Sequence, residues 1–90
     1  MKQQLSVHPR VIERHPELTE SDIVIAWENA LSSAPRLEKN PNEYVAVGFD
    51  SKGRLIEMVA IRESSGDWML YHAKTPPTKK TLAELRRTMR

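Results

Sequence analysis

Cysteine is missing from this 90-residue chain, glycine occurs three times, and the aromatic residues are two Trp, two Tyr and one Phe. The lack of thiols excludes disulfide staples, thiolate nucleophiles and cysteine–zinc sites, and it fits a reducing, cytoplasmic setting. The longest apolar runs, such as Ile23 to Trp27, fall far short of the roughly 20 residues a membrane span needs. Met1-Lys-Gln-Gln is followed by no apolar signal-peptide core. Gly-rich phosphate loops, His-x-x-x-His pairs and Gly-x-Ser-x-Gly elbows are all absent. His8 and His15 stand seven apart near opposite ends of a short helix, a poor arrangement for two ligands of one metal. No metal, cofactor or membrane partner is expected.

What is present reads as a single domain spanning residues 1–90, with 39% hydrophobic and 29% charged residues. The net charge of +2 is unevenly spread: residues 1–12 carry +2, residues 13–67 carry −5, and residues 68–90 carry +5. A basic end attracts phosphate or an acidic protein surface. A basic C-terminal helix also offsets its own dipole, which favours cations in the last turn.

The punctuation of the chain predicts α-α-β-β-β-α. A short helix starts at His8-Pro9, where the missing proline N–H costs nothing, and stops before Pro16. A second helix is capped by Thr19 with Asp22 three positions on. Ile23, Ala26, Trp27 and Ala30 form its apolar stripe, and Pro35 ends it. The segment from Ser32 to Asn42, with two prolines and two asparagines, is expected as an exposed loop. Three strands follow, Tyr44 to Asp50, Arg54 to Arg62 and Trp68 to Lys74, joined by turns at Ser51-Lys-Gly53 and Ser64-Ser-Gly-Asp67. Thr75-Pro-Pro-Thr78 then opens a last helix, with Thr81 and Glu84 in a Thr-x-x-Glu pattern. The expected fold is α+β: an antiparallel three-stranded meander with helices packed on one face, in two layers.

Strand alternation groups the side chains by face. Val45, Val47 and Phe49 share a core-facing row. Leu55, Val59 and Ile61 share theirs with Glu57, opposite Arg54, Ile56, Met58, Ala60 and Arg62. Trp68, Leu70, His72 and Lys74 oppose Met69, Tyr71 and Ala73. Which rows register together is open, because a one-residue slip inverts every assignment. Gly48 inside a strand marks a bulge or a close backbone approach, or else packing under Trp27 or Trp68. Trp27 belongs to the core. Trp68 serves either as a platform for a base or as a cap on the core.

His72, near a strand end with Lys74 two residues on, is the best single candidate for proton transfer. Cleaving RNA without metal needs a base for the 2′-hydroxyl, cations for the developing phosphorane charge and a proton donor for the departing 5′-oxygen. Arg54, Arg62, His72 and Lys74 are suitable catalytic types, and Lys52, Lys79 and Lys80 suit RNA binding.

The run Tyr44-Val-Ala-Val-Gly-Phe-Asp-Ser-Lys-Gly-Arg-Leu-Ile-Glu-Met-Val resembles the strand–turn–strand signature of BrnT-type toxins. His72-Ala73-Lys74, followed by a basic helix, is similar to the third strand of that family, and the first two helices occupy the expected places. The chain departs from the family at Asn42-Glu43-Tyr44, where an arginine is usual. The resemblance implies a RelE-like fold and a type II toxin–antitoxin system. It further implies an endoribonuclease that blocks translation, acts on RNA or ribosome-associated mRNA, and is neutralised by a tightly bound antitoxin. Arg54 falls on the family's Gly-Arg turn and Lys74 on its basic position after Ala73. The alternative is a non-catalytic module of the same fold whose basic face binds an acidic partner protein or nucleic acid.

Overall fold

Local chemistry sets the first two helices. The His8 side chain accepts the Arg10 N–H at 3.1 Å, and Pro9 occupies the first helical turn of α1 (Pro9–Arg14). Helix α2 (Glu20–Glu28) carries a full capping box: Thr19 Oγ1 accepts from the Asp22 N–H, and the Asp22 carboxylate accepts from the Thr19 N–H, each at 3.0 Å. Asn29 ends α2, six residues before Pro35, the expected stop.

The computed structural model of the chain describes residues 4–36 and 40–88. Around the helices lie β1 (Leu5–Val7), β2 (Ala30–Arg36), β3 (Asn40–Phe49), β4 (Leu55–Arg62), β5 (Trp68–Lys74) and α3 (Lys79–Thr88). The expected meander is present as β3–β4–β5, but the sheet has five strands in the order β1-β5-β4-β3-β2. β1 pairs parallel with β5, and the other pairs are antiparallel. The segment expected as an exposed loop is therefore mostly strand, apart from residues 37–39, which lie outside the described residues. Pro35 is tolerated because β2 is an edge strand and needs only one side of its backbone paired, and Pro41 sits at the start of β3, before its pairing with β4 begins at Glu43. Both expected turns form, with Gly53 and Gly66 at positive φ of 78° and 92°.

The helices cover both faces, not one. Against α1 and α2 lies a core of Val11, Leu18, Ile23, Ala26, Ala46, Ile56, Met58, Ala60, Leu70 and Ala73. On the other face α3 buries Leu85 over Ala34, Val45, Val47 and Val59. Phe49, expected in that row, is 45% exposed at the strand end. A Cβ at Gly48 would overlap the Ala26 carbonyl oxygen, so α2 rests directly on β3 there. That is the close backbone approach; the ladder to β4 is regular here, while the ladder to β2 shifts register beside Gly48, between Ala30 and Ser32.

One irregularity decides where the polar side chains go. The β4–β5 register slips between Val59 and Ala60: Val59 faces His72, Ala60 faces Leu70, and Tyr71 is the extra residue. Such a bulge breaks the strict alternation of the strand. Trp68, Leu70 and Ala73 lie on the α1/α2 face, whereas Met69, Tyr71, His72 and Lys74 lie on the α3 face. The expected alternation, with Tyr71 opposite His72, fails at this point. Among the described residues no helix is long and apolar enough to cross a membrane.

Candidate functional site

Helix α3 begins just after β5 ends, beside the start of β4. Thr78 caps it, its Oγ1 accepting from the Thr81 N–H at 3.2 Å. The expected Thr81–Glu84 box does not form, because Glu84 turns to Arg36. Thr78 also donates its backbone N–H to Glu57 Oε1 at 2.8 Å and its hydroxyl to the same oxygen at 3.1 Å. The other oxygen, Oε2, lies 2.7 Å from His72 Nε2. Burial by itself would raise the Glu57 carboxyl, but the bonds from Thr78, His72 and Thr81 outweigh it and hold the group below its ordinary value. An ionised carboxylate only accepts, so His72 Nε2 carries the proton and Nδ1 is the nitrogen left to give or take one. The His72 side chain is 36% exposed. Lys74 stands directly across from Glu57 in the ladder, on the same face.

A second polar group occupies the same face. Arg36 donates to Glu43 Oε2 at 3.0 Å and to Glu84 Oε2 at 3.1 Å, fastening β2, β3 and α3 together. Tyr71 joins it through Glu43. Burial, reinforced by that carboxylate, pushes the tyrosine up to about 12, so its hydroxyl stays protonated. The bulge thus brings Tyr71 and His72 to one surface, beside the half-buried Ile61 and Met69 that α3 leaves uncovered.

The four residues expected to form one catalytic cluster do not. Arg54 lies on the α1/α2 side, where its guanidinium donates to Asp50 Oδ2 at 2.8 Å, Asp22 Oδ2 at 3.0 Å and the Glu17 carbonyl at 3.0 Å. Both aspartates are buried. The Thr19 backbone N–H foremost, with Lys52 and Arg54, lowers Asp22, and for Asp50 the Arg54 and Lys52 bonds outweigh burial, which alone would raise it. Arg54 therefore pins the β3–β4 turn to the start of α2. Arg62 lies at the other end of β4, roughly 26 Å away at about 3.3 Å per residue, with its guanidinium carbon 5.8 Å from the Trp68 ring centre. Only His72 and Lys74 come together. Of the expected RNA-binding lysines, Lys79 and Lys80 are exposed in the first turn of α3, next to Thr78, while Lys52 reaches Asp22 at 3.6 Å on the opposite face.

Glu57, Thr78, Tyr71 and Arg36 were not singled out from the sequence. Glu57 had a legible signal, a carboxylate inside the apolar row Leu55-x-Glu57-x-Val59, which must find partners if buried. Tyr71 had none, because nothing in the residue string announces the bulge. Among the described residues no three His, Asp or Glu side chains gather as metal ligands.

On the other face, a cleft of about 270 Å³ is lined by Trp27, Ala30, Ser33, Tyr44, Ala46 and Trp68. Trp68 meets Tyr44 edge-on at 5.0 Å and Trp27 at 5.4 Å with a 59° tilt. Trp27 and Trp68 are only partly buried, so each is both a core neighbour and a cleft wall. Compared with known proteins, the chain matches no family model, no curated protein and no solved structure.

Proposed function

We propose that the protein is the toxin of a type II toxin–antitoxin pair, a RelE-like, BrnT-like endoribonuclease that cleaves RNA without metal and blocks translation. The observation that carries this reading is the His72–Glu57 pair, a part-exposed imidazole held by a buried carboxylate. His72 Nδ1 takes the proton of a 2′-hydroxyl as that oxygen attacks the adjacent phosphorus. Glu57 holds the ring and offsets the imidazolium that forms. The Lys74 ammonium offsets the charge gathering on the phosphorane oxygens. The P–O5′ bond breaks and the Tyr71 hydroxyl protonates the departing oxygen, leaving a 2′,3′-cyclic phosphate and a 5′-hydroxyl. Lys79 and Lys80, beside the pair, hold the neighbouring backbone. Arg54 and Arg62 have no part in the chemistry.

Purified protein incubated with RNA in EDTA tests the reading, with the RNA presented free and on ribosomes. Cleavage with cyclic-phosphate ends, together with growth arrest on expression that an adjacent gene relieves, is the expected result. Intact RNA in both forms, with the protein folded, contradicts it.

One observation favours the second reading, a non-catalytic module binding an acidic partner or nucleic acid: Arg54 and Arg62 are already engaged by carboxylates and a ring. That reading expects binding that weakens steeply with ionic strength and no turnover.

A further inference from the structure

The aromatic cleft lies on the face away from His72, and the ribonuclease reading gives it no task. Its walls are fixed. Gly48 lets α2 sit on β3 through Ala26, which seats Trp27 one residue further along the helix. Trp68 is braced by rings on two sides. Ala30, Ser33 and Ala46 are small side chains, so room is left beside the packed rings for a ligand. The volume of about 270 Å³ suits one planar ring system and not an extended molecule. The lining is not purely apolar, since Ser33 and Tyr44 bring hydroxyl-bearing side chains to it. The exposed Arg62 guanidinium stands beside Trp68, where it can meet an anionic group on whatever enters.

We infer that this cleft binds the base of a ribonucleotide, with the base packed against the cluster of Trp27, Tyr44 and Trp68 and its phosphate at Arg62. An aliphatic side chain from a protein partner would use the rings but neither the hydroxyls nor the guanidinium. A base carrying a phosphate uses all three, because every base offers a π-face, a hydrogen-bonding edge and a linked anion. The inference does not rest on the ribonuclease reading. A chain that cleaves nothing can still hold a nucleotide here.

Both tryptophans of the chain line the cleft, so intrinsic fluorescence reports on it without a label. The test titrates the intact protein with each ribonucleoside 5′-monophosphate, with ribose 5-phosphate, and with N-acetylphenylalaninamide. Saturable quenching by at least one nucleotide is the expected result. Ser33→Leu, which fills the cleft from the edge strand, weakens that binding about tenfold, the size of one lost stacking contact. Arg62→Gln weakens nucleotide binding while leaving binding of the matching nucleoside unchanged, which separates phosphate recognition from any loss of fold. No saturable change with any nucleotide overturns the inference. So does a response to N-acetylphenylalaninamide alone, which marks a protein-docking pocket, or an equal response to ribose 5-phosphate, which marks a phosphate site without a base.

Discussion

His72 Nε2 and Glu57 Oε2 lie 2.7 Å apart across neighbouring strands, and the carboxylate is almost wholly buried while the imidazole is part-exposed. The backbone N–H and hydroxyl of Thr78 close around the second carboxylate oxygen, so the start of α3 and the end of β5 are tied to one residue of β4. This arrangement makes distinct demands on stability and on chemistry.

Glu57→Gln keeps the shape but removes the charge and turns one acceptor oxygen into a donor. The amide oxygen can still accept from Thr78, but its NH2 meets His72 Nε2 as a donor and forces the ring into the other tautomer, and the charge-assisted bonds are lost, at a cost of about 1–3 kcal/mol. Denaturant unfolding should show this loss. Cleavage per folded molecule should also fall, because His72 loses the group that fixes its proton on Nε2.

His72→Ala removes a part-exposed ring but leaves Glu57 Oε2, a buried carboxylate oxygen, without its imidazole partner, so the melting midpoint should fall modestly while the protein stays folded. On the ribonuclease reading it lowers cleavage by about 10²–10⁴-fold, the usual contribution of a positioned acid–base group. Initial rates on a labelled RNA check this against unfolding curves for the same preparations.

Arg54→Ala should behave in the opposite way. It strips the buried Asp22 and Asp50 of their guanidinium and unfastens the β3–β4 turn from α2, so thermal stability falls. Because Arg54 is on the face away from His72, the cleavage rate per folded molecule should hold. A loss of turnover with stability unchanged would return Arg54 to the active site.

Much of this was readable in the residue string. The Thr19–Asp22 capping box, the His8-Pro9 helix start, the two glycine turns and the three long strands all follow from local chemistry that tertiary packing leaves in place. β1 was not readable, since three residues form no periodic pattern and pair only with a distant strand. β2 was hidden by Pro35 and by small residues that read as loop, although an edge strand accepts both. The site was legible in part. The i, i+2 spacing of His72 and Lys74 puts them on one face, as the ladder does, but the bulge that brings Tyr71 to that face is a property of the β4–β5 pairing and not of either strand alone. Arg54 matched the chemistry of phosphate binding equally well, and only the buried aspartates facing it reveal its structural task.

Acid should destabilise the fold through three carboxylates. Glu57, Asp22 and Asp50 are all held below their ordinary values of 4.5, 3.8 and 3.8 in the folded chain. The unfolded chain then binds protons more readily than the folded one. Their contribution is fully present above the ordinary range and is lost as pH falls from there through the lowered folded values. Melting midpoints should drop from about pH 5 downward, and Asp50→Asn should flatten that slope as well as lower the plateau.

Gly48→Ala tests the seating of α2. The new methyl would overlap backbone, not a movable side chain, so the helix must lift from β3. A cost of about 3 kcal/mol is expected from overpacking of this kind, read as a shift in the denaturant midpoint, with tryptophan emission altered because Trp27 moves with the helix.

The central claim, that His72 on its glutamate bracket is a proton-transfer group acting on RNA, is met most directly by one comparison. Wild-type protein and His72→Ala, both shown to be folded, are incubated in EDTA with end-labelled RNA, free and ribosome-bound. The account predicts fragments ending in 2′,3′-cyclic phosphate from the wild type and almost none from the variant. Equal cleavage by both proteins, or full-length RNA throughout, would contradict it.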